Sequence, residues 1–287
     1  MRAPRRRNKR RRGRTGTPIE AHRARRRFSQ NFLHDRGVIE RIVDAIDPLP
    51  GEPLVEIGPG LGALSARLIE TAGRLAAVEI DRDLAARLRQ RYDSGQLTLI
   101  ESDALKVDWE QLAARLGPGL RVVGNLPYHV STPLLFCLLP IAAQVRDQHF
   151  MLQREVVERM AAPSGGKEYG RLSVMLQRTY RIERLFNVAP GSFTPAPKVQ
   201  SSIVRMTPRA SHEVADVPSE LFGMVVTAAF TQRRKTLRNA LARLLSEAQI
   251  EQAGVDPGAR GETLDVAAFV RLTQRAAVVG RAVSATA

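Results

Sequence analysis

Four short, largely apolar runs, Leu54–Ile57, Leu75–Ile80, Leu97–Ile100 and Arg121–Val123, alternate with stretches of helical patterning such as Leu61–Thr71 and Leu84–Tyr92. Runs this short, without the alternation of a strand that has one wet face, predict strands buried on both sides. Buried strands joined by helices form parallel βαβ units, so the pattern predicts a doubly wound α/β sheet. Upstream, Asp35 is placed to cap a helix carrying Val38, Ile39, Ile42, Val43 and Ile46, ending before Pro48. Downstream, His149–Leu152 predicts a strand, Glu155–Ala162 a helix, Pro163–Gly170 a loop, and Leu172, Met175, Leu176 and Thr179 a further helix. Arg184–Val188 and Ser201–Met206 read as closing strands joined by the turn-rich Pro190–Pro197. From Pro208 to Pro218 no period survives, which divides the chain into a sheet domain, 28–209, and a small C-terminal helical domain, 210–287. The clearest helix of the second domain is Ser219–Leu245, with Phe230, Leu237, Leu241 and Leu244 as its apolar stripe.

The net charge of +15 is concentrated at one end. Residues 1–27 hold thirteen Arg or Lys against one acid, Glu20, so the rest of the chain is close to neutral. The tail has almost nothing to bury and is expected to be disordered, either as a solvated extension or as an arm with salt-sensitive attraction to a polyanion. No apolar segment follows it, and the longest apolar stretch, Pro133 to Val145, is broken by Pro140; neither a secretory signal nor a membrane span is expected. The single cysteine, Cys137, excludes an internal disulfide, and the five histidines lack ligand spacing, so no metal is expected. These features suit a soluble cytoplasmic protein.

Leu54-Val-Glu-Ile-Gly-Pro-Gly-Leu-Gly62 is a strand running into a glycine-rich turn that opens a helix. Glycines there let the backbone approach a ligand. Glu79 ends the next strand, where an acid can accept hydrogen bonds from both ribose hydroxyls, and Asp103 is expected to end the third strand on the same edge. The spacing Gly58, Gly60, Gly62, with Ala63 following, is not the G-x-G-x-x-G of nicotinamide enzymes. A nucleoside without pyrophosphate, such as S-adenosylmethionine, fits better.

After the fourth strand comes Gly124-Asn-Leu-Pro-Tyr128. Taken alone it is a strand-to-helix turn. Its chemistry suits an adenine amine: the Asn125 carbonyl and the main-chain carbonyl of Leu126, held by Pro127, can accept the N6–H bonds of a weakly nucleophilic nitrogen. The Tyr128 ring can stack on an extruded base.

Gln30-Asn-Phe-Leu33, the glycine turn, Glu79, Asp103 and Asn125-Leu-Pro-Tyr128 together resemble the ribosomal RNA adenine N6,N6-dimethyltransferase family. Three segments resemble its bacterial small-subunit branch, the KsgA type: NLPYHVSTPLL from Asn125, PGSFTPAPKVQS from Pro190 and FTQRRKTLRNAL from Phe230. The resemblance runs from about Arg27 to Leu272. It implies a Rossmann-like S-adenosylmethionine-dependent methyltransferase sheet in which Asn31, Leu33, Gly58, Glu79, Asp103 and Asn125 contact the cofactor. Asn125, Leu126 and Tyr128 would address the target adenine, one of two adjacent adenosines in a hairpin loop near the 3′ end of small-subunit rRNA. The implied partners are that RNA and the small ribosomal subunit or its precursor, bound by a monomer. His129 stands where the family usually has Asn and is expected to be structural. Arg233 and Arg234 flank the apolar stripe of the Ser219–Leu245 helix, with Arg238 further out, and the three are expected to contact RNA, whereas Lys235 suits a solvated face. Two other functions compete: methylation of a large-subunit rRNA adenine, against which the segment from Phe230 speaks, and a ribosome-assembly or RNA-binding factor with incidental catalysis.

Overall fold

The computed structural model describes residues 30–285 except Ala215 and Arg233, with side chains to Val279; the basic tail lies outside the described residues. The alternating runs form the first half of the molecule: β1 (Phe32–Leu33), α1 (Arg36–Ile46), β2 (Leu54–Ile57), α2 (Ala63–Ala72), β3 (Leu75–Glu79), α3 (Arg82–Arg91), β4 (Leu97–Glu101), α4 (Trp109–Leu116) and β5 (Leu120–Asn125). The chain continues through α5 (Ser131–Cys137), β6 (Val145–Gln153), α6 (Arg154–Ala161), α7 (Arg171–Thr179), β7 (Tyr180–Val188), β8 (Phe193–Thr194) and β9 (Ser201–Pro208). Seven strands form one sheet in the order β4-β3-β2-β5-β6-β9-β7. From β4 to β6 all pairings are parallel, and β9 lies antiparallel between β6 and β7. β2 and β3 are buried at every position, their charged residues Glu56 and Glu79 included, whereas β4, expected to be buried on both sides, lies at the sheet edge and is buried only at Leu97.

The strand order reverses between β2 and β5. The chain lays β3 and β4 on one side of β2, then returns to place β5 and β6 on the other. In open sheets of this kind the crevice beyond the carboxyl ends of the two strands is where ligands bind.

Asp35 caps α1 as expected, accepting from Val38 N at 3.1 Å. The far end of α1 is fastened by a buried network. Arg121 on β5, 3% exposed, donates to the carbonyls of Ile46 and Asp47, and Arg205 on β9 donates to that of Ala45. These carbonyls are left without intrahelical partners at a helix C-terminus, so the two guanidiniums satisfy acceptors and complement the helix dipole together. Arg121 also donates to Asp147 at 2.9 and 2.8 Å and to Glu52 at 3.1 Å. Arg205 Nε donates to His149 Nε2, whose Nδ1 lies 3.4 Å from Asp147.

A separate hydrophobic cluster is helical. It is built on α8 (Ser219–Thr231), α9 (Leu237–Ala240), α10 (Glu247–Gln252) and α11 (Val266–Ala285), and it includes Tyr169 and Val174 from the loop before α7 and from α7 itself. Tyr169 stands edge-on to Phe230, which stacks on Phe269. The single helix expected over Ser219–Leu245 is two helices separated by residues 232–236. The amides of Leu237 and Arg238 donate to the carbonyls of Ala259 and Pro257, a tertiary contact that a continuous helix would have had to forgo. The stripe survives the break: Leu237, Leu241 and Leu245 are buried, and Phe230 and Leu244 pack against them.

Burial alone would raise the Asp147 carboxyl, but hydrogen bonds from His149 and Arg121 outweigh it and hold the group at about 2. A carboxyl depressed below its ordinary 3.8 stabilises the fold fully above that pH and loses the contribution as pH falls through 2. Asp147→Asn leaves a buried cation short of its partner and is expected to cost about 3 kcal/mol. Urea unfolding at pH 7 measures the deficit, which should narrow between pH 3.8 and 2.

Candidate active site

A cavity of about 310 Å³ opens where the strand order reverses. Its donor-side wall is the turn after β2. Gly58, Gly60 and Gly62 all take positive φ (69°, 59° and 78°), so the three glycines answer a backbone requirement. Gly62 faces a steric limit as well, since a Cβ there would lie 2.9 Å from Leu88 Cδ2.

Glu79, the last residue of β3, is buried. Its two oxygens accept from Gly60 N at 3.1 Å and from Asp81 N at 2.9 Å, so the carboxylate braces the glycine turn. A carboxylate has about four acceptor positions, so capacity remains for a ligand's hydroxyls. Burial pushes the Glu79 carboxyl above its ordinary range. Asp103 lies two residues beyond β4, partly exposed, and caps its own turn by accepting from Leu105 N at 3.0 Å. Leu61 and Ile80, two of the large apolar side chains left exposed, stand on the same wall.

The opposite wall is the end of β5 and the loop after it. Gly124 is needed because a Cβ would come 2.6 Å from the carbonyl oxygen of Ile57 on β2. Asn125 is the last residue of β5, which runs two residues beyond the expected Val123, so it belongs to the strand and not to the turn after it. Its Nδ2 donates to the carbonyl of Asn31 at 3.1 Å, which fixes the amide and leaves Oδ1 as the acceptor for an incoming N–H. Leu126 is buried, with its amide bonded to the carbonyl of Met151. Tyr128 is half-buried, and its hydroxyl lies 2.8 Å from that of Ser201. His129 is exposed at the rim, so the structural histidine expected there is not found.

Asn31 and Leu33 close the cavity from a third side. β1 pairs with β8, Leu33 opposite Phe193, so the N-terminal segment is tied to the loop before β9. The eight residues expected to bind cofactor or adenine, Asn31, Leu33, Gly58, Glu79, Asp103, Asn125, Leu126 and Tyr128, therefore line one cavity. Arg234 and Arg238 do not join them. Arg234 is exposed in the turn between α8 and α9, Arg238 is exposed and lies 3.2 Å from Glu247, and Arg233 lies outside the described residues. Among the described residues no group of His, Cys, Asp or Glu is placed to hold a metal, and no helix is long and apolar enough to cross a membrane.

The model of the ribosomal RNA adenine dimethylase family matches residues 21–277. The chain belongs to that family. A relative named ribosomal RNA small subunit methyltransferase A, from Aromatoleum aromaticum, is 58% identical over 255 residues, covering 89% of this chain and 95% of the relative. One of the same name from Pseudomonas putida is 54% identical over 260 residues, covering 89% and 96%. Among solved structures, the 23S rRNA methyltransferase ErmE matches with a TM-score of 0.64 at 27% identity, over 86% of this chain and 100% of ErmE. A dimethyladenosine transferase from Plasmodium falciparum has the same fold, with a TM-score of 0.71 at 24% identity over 86% and 98% of the two chains.

The sequence reading passed over Glu56, although a carboxylate inside a buried run was itself a signal. It is buried behind the glycine turn and accepts from Ser65 Oγ at 2.5 Å. Burial, reinforced by the neighbouring Glu79 and partly offset by Ser65, pushes its carboxyl up to about 7. Between the ordinary 4.5 and about 7 the folded chain keeps a proton that the unfolded chain has released, so stability falls as pH rises through that window. Glu56→Gln is expected to remove this slope. Urea midpoints at pH 5 and pH 8 should then differ less in the variant than in the parent, and an unchanged difference would place the slope elsewhere.

Proposed function

We propose that this chain transfers methyl groups from S-adenosylmethionine to N6 of two adjacent adenosines in the 3′-terminal hairpin loop of small-subunit rRNA, dimethylating each. The observation that carries the reading is the pairing of a donor wall and an acceptor wall in one cavity, with Asn125 Oδ1 left open by the bond to Asn31. The donor wall fits the cofactor. Glu79 suits the ribose hydroxyls, Leu61 and Ile80 offer apolar faces to a purine, and the open glycine turn accepts close approach. Asn31, Leu33, Gly58, Asp103 and Asn125 complete the contacts.

When bound, S-adenosylmethionine supplies a methyl carbon already activated by its sulfonium. The protein's part is then placement and polarisation. The Asn125 and Leu126 carbonyls accept the two N6 hydrogens and draw the nitrogen lone pair out of conjugation with the ring. Tyr128 holds the extruded base by its face, worth ~1–3 kcal/mol. A face contact is indifferent to the number of methyls on N6, which suits two rounds on one nitrogen.

The assignment to the small subunit rests on relatives of that name at 54–58% identity, against 27% for the large-subunit enzyme ErmE. Catalysis does not exclude an assembly role, and the chain is assigned to the cytoplasm as a monomer acting on the small subunit or its precursor. We assign RNA contact to Arg233, Arg234 and Arg238, and divide the chain into a basic tail, 1–27, a methyltransferase domain, 28–209, and an RNA-recognition domain, 210–287.

Labelled donor and small ribosomal subunits, followed by nucleoside analysis, test the proposal. N6,N6-dimethyladenosine is expected, and monomethyladenosine as sole end product would falsify it. Asn125→Ala should suppress both rounds. Glu79→Ala should weaken S-adenosylmethionine binding by about 1.5–3 kcal/mol in calorimetry with RNA affinity kept.

A further inference from the structure

We infer that Ser201 is a positioning residue for methyl transfer: its hydroxyl tethers the Tyr128 ring to the sheet and so fixes the plane against which the target base lies. The inference rests on the assignment of Tyr128 to that base.

Stacking needs the face of an aromatic ring and makes no use of a phenol, so phenylalanine would serve a purely stacking role at position 128. The structure gives the Tyr128 hydroxyl a specific partner, Ser201 Oγ at 2.8 Å. Ser201 is fully buried as the first residue of β9, on the same strand face as Ile203, which lines the cavity. A buried hydroxyl without a partner is costly, and an apolar side chain would suit the position better unless the hydroxyl has a task there.

Ser201 is a firm anchor. It stands opposite Gln153 on β6 and Val188 on β7, so strands on both sides hold its backbone. The preceding carbonyl, that of Gln200, accepts from Arg154 N at 2.9 Å. Tyr128 itself sits in the loop between β5 and α5, where its carbonyl accepts from the buried Ser131 hydroxyl at 3.0 Å. The side chain is thus held at both ends. The loop fixes its root and the sheet fixes its tip, leaving the ring little freedom to swing about its two side-chain torsions. Burial pushes the phenol above its ordinary range, so the hydroxyl stays protonated and the tether persists at neutral pH.

The test compares Ser201→Ala, Tyr128→Phe and the double variant in the full chain, with small ribosomal subunits as substrate. Each single variant is expected to raise KM for the subunit about 3- to 10-fold, the loss of one net hydrogen bond. The dissociation constant for S-adenosylmethionine should be unchanged, and the double variant should be no worse than either single one. Additive losses in the double variant overturn the tether, as does a matching loss of cofactor affinity in Ser201→Ala, which would mean general damage to the fold. Should Ser201→Ala fail to fold, Tyr128→Phe still decides: a parental KM overturns the inference. Tyr128→Ala separates the two claims. If it leaves KM for the subunit unchanged, the assignment of Tyr128 to the base fails; if it raises KM while Ser201→Ala does not, only the tether fails.

Discussion

Where β2 lies against β5, Ile57 stands opposite Gly124, and there is no room between them for even one extra carbon. That contact joins the two halves of the cavity. One residue past Ile57 the backbone enters the glycine turn, and one residue past Gly124 it reaches Asn125. A Cβ on Gly58 would lie 3.9 Å from the main-chain oxygen of Asn125. Donor and acceptor walls are adjacent because two parallel strands with opposite onward connections end side by side. The third wall follows from the same geometry, since the Asn125 amide reaches across to Asn31 and β1 binds that segment to the loop before β9.

The polar groups buried around this point divide by kind. Arg121, Arg205, Asp147 and His149 bond to one another and to the open end of α1, and Glu52 sets a second carboxylate against the Arg121 guanidinium. Glu56 and Glu79 are both acids, and burial pushes both upward. The first arrangement holds the molecule together. The second keeps proton-sensitive carboxyls beside a cavity, at some cost in stability at neutral pH, as expected where a site rather than a core is being built.

Much of the sheet was legible because buried parallel strands leave a dense apolar signature: β2, β3, β4 and β5 stand where the short runs predict, although β4, at the sheet edge, is buried only at Leu97. β1 and β8 were not legible, being two residues each and defined by pairing with a partner 160 to 162 residues away (Leu33 with Phe193 and Phe32 with Thr194 fix the register). The break in the helix after Thr231 was hidden for the same kind of reason. The apolar stripe continues through it, while the acceptors that favour the break, the carbonyls of Pro257 and Ala259, belong to a distant loop. Site residues showed where chemistry and local backbone coincide, as in the glycine turn and Asn125–Tyr128. Ser201 did not, because a serine opening a strand has no pattern of its own until Tyr128 is seen beside it.

The antiparallel insertion of β9 between β6 and β7 has a consequence for the growing chain. Every other strand of the large sheet precedes it in sequence, so the sheet remains in two parts until residues 201–208 have been synthesised. Until then the free edge of β6 offers unpaired amides and carbonyls to whatever strand is nearby. Ser201 and Ile203 arrive with this last strand. The cavity therefore gains its final wall in the same event that removes the exposed edge, and a nascent chain cannot carry a complete site before its sheet is protected from mispairing.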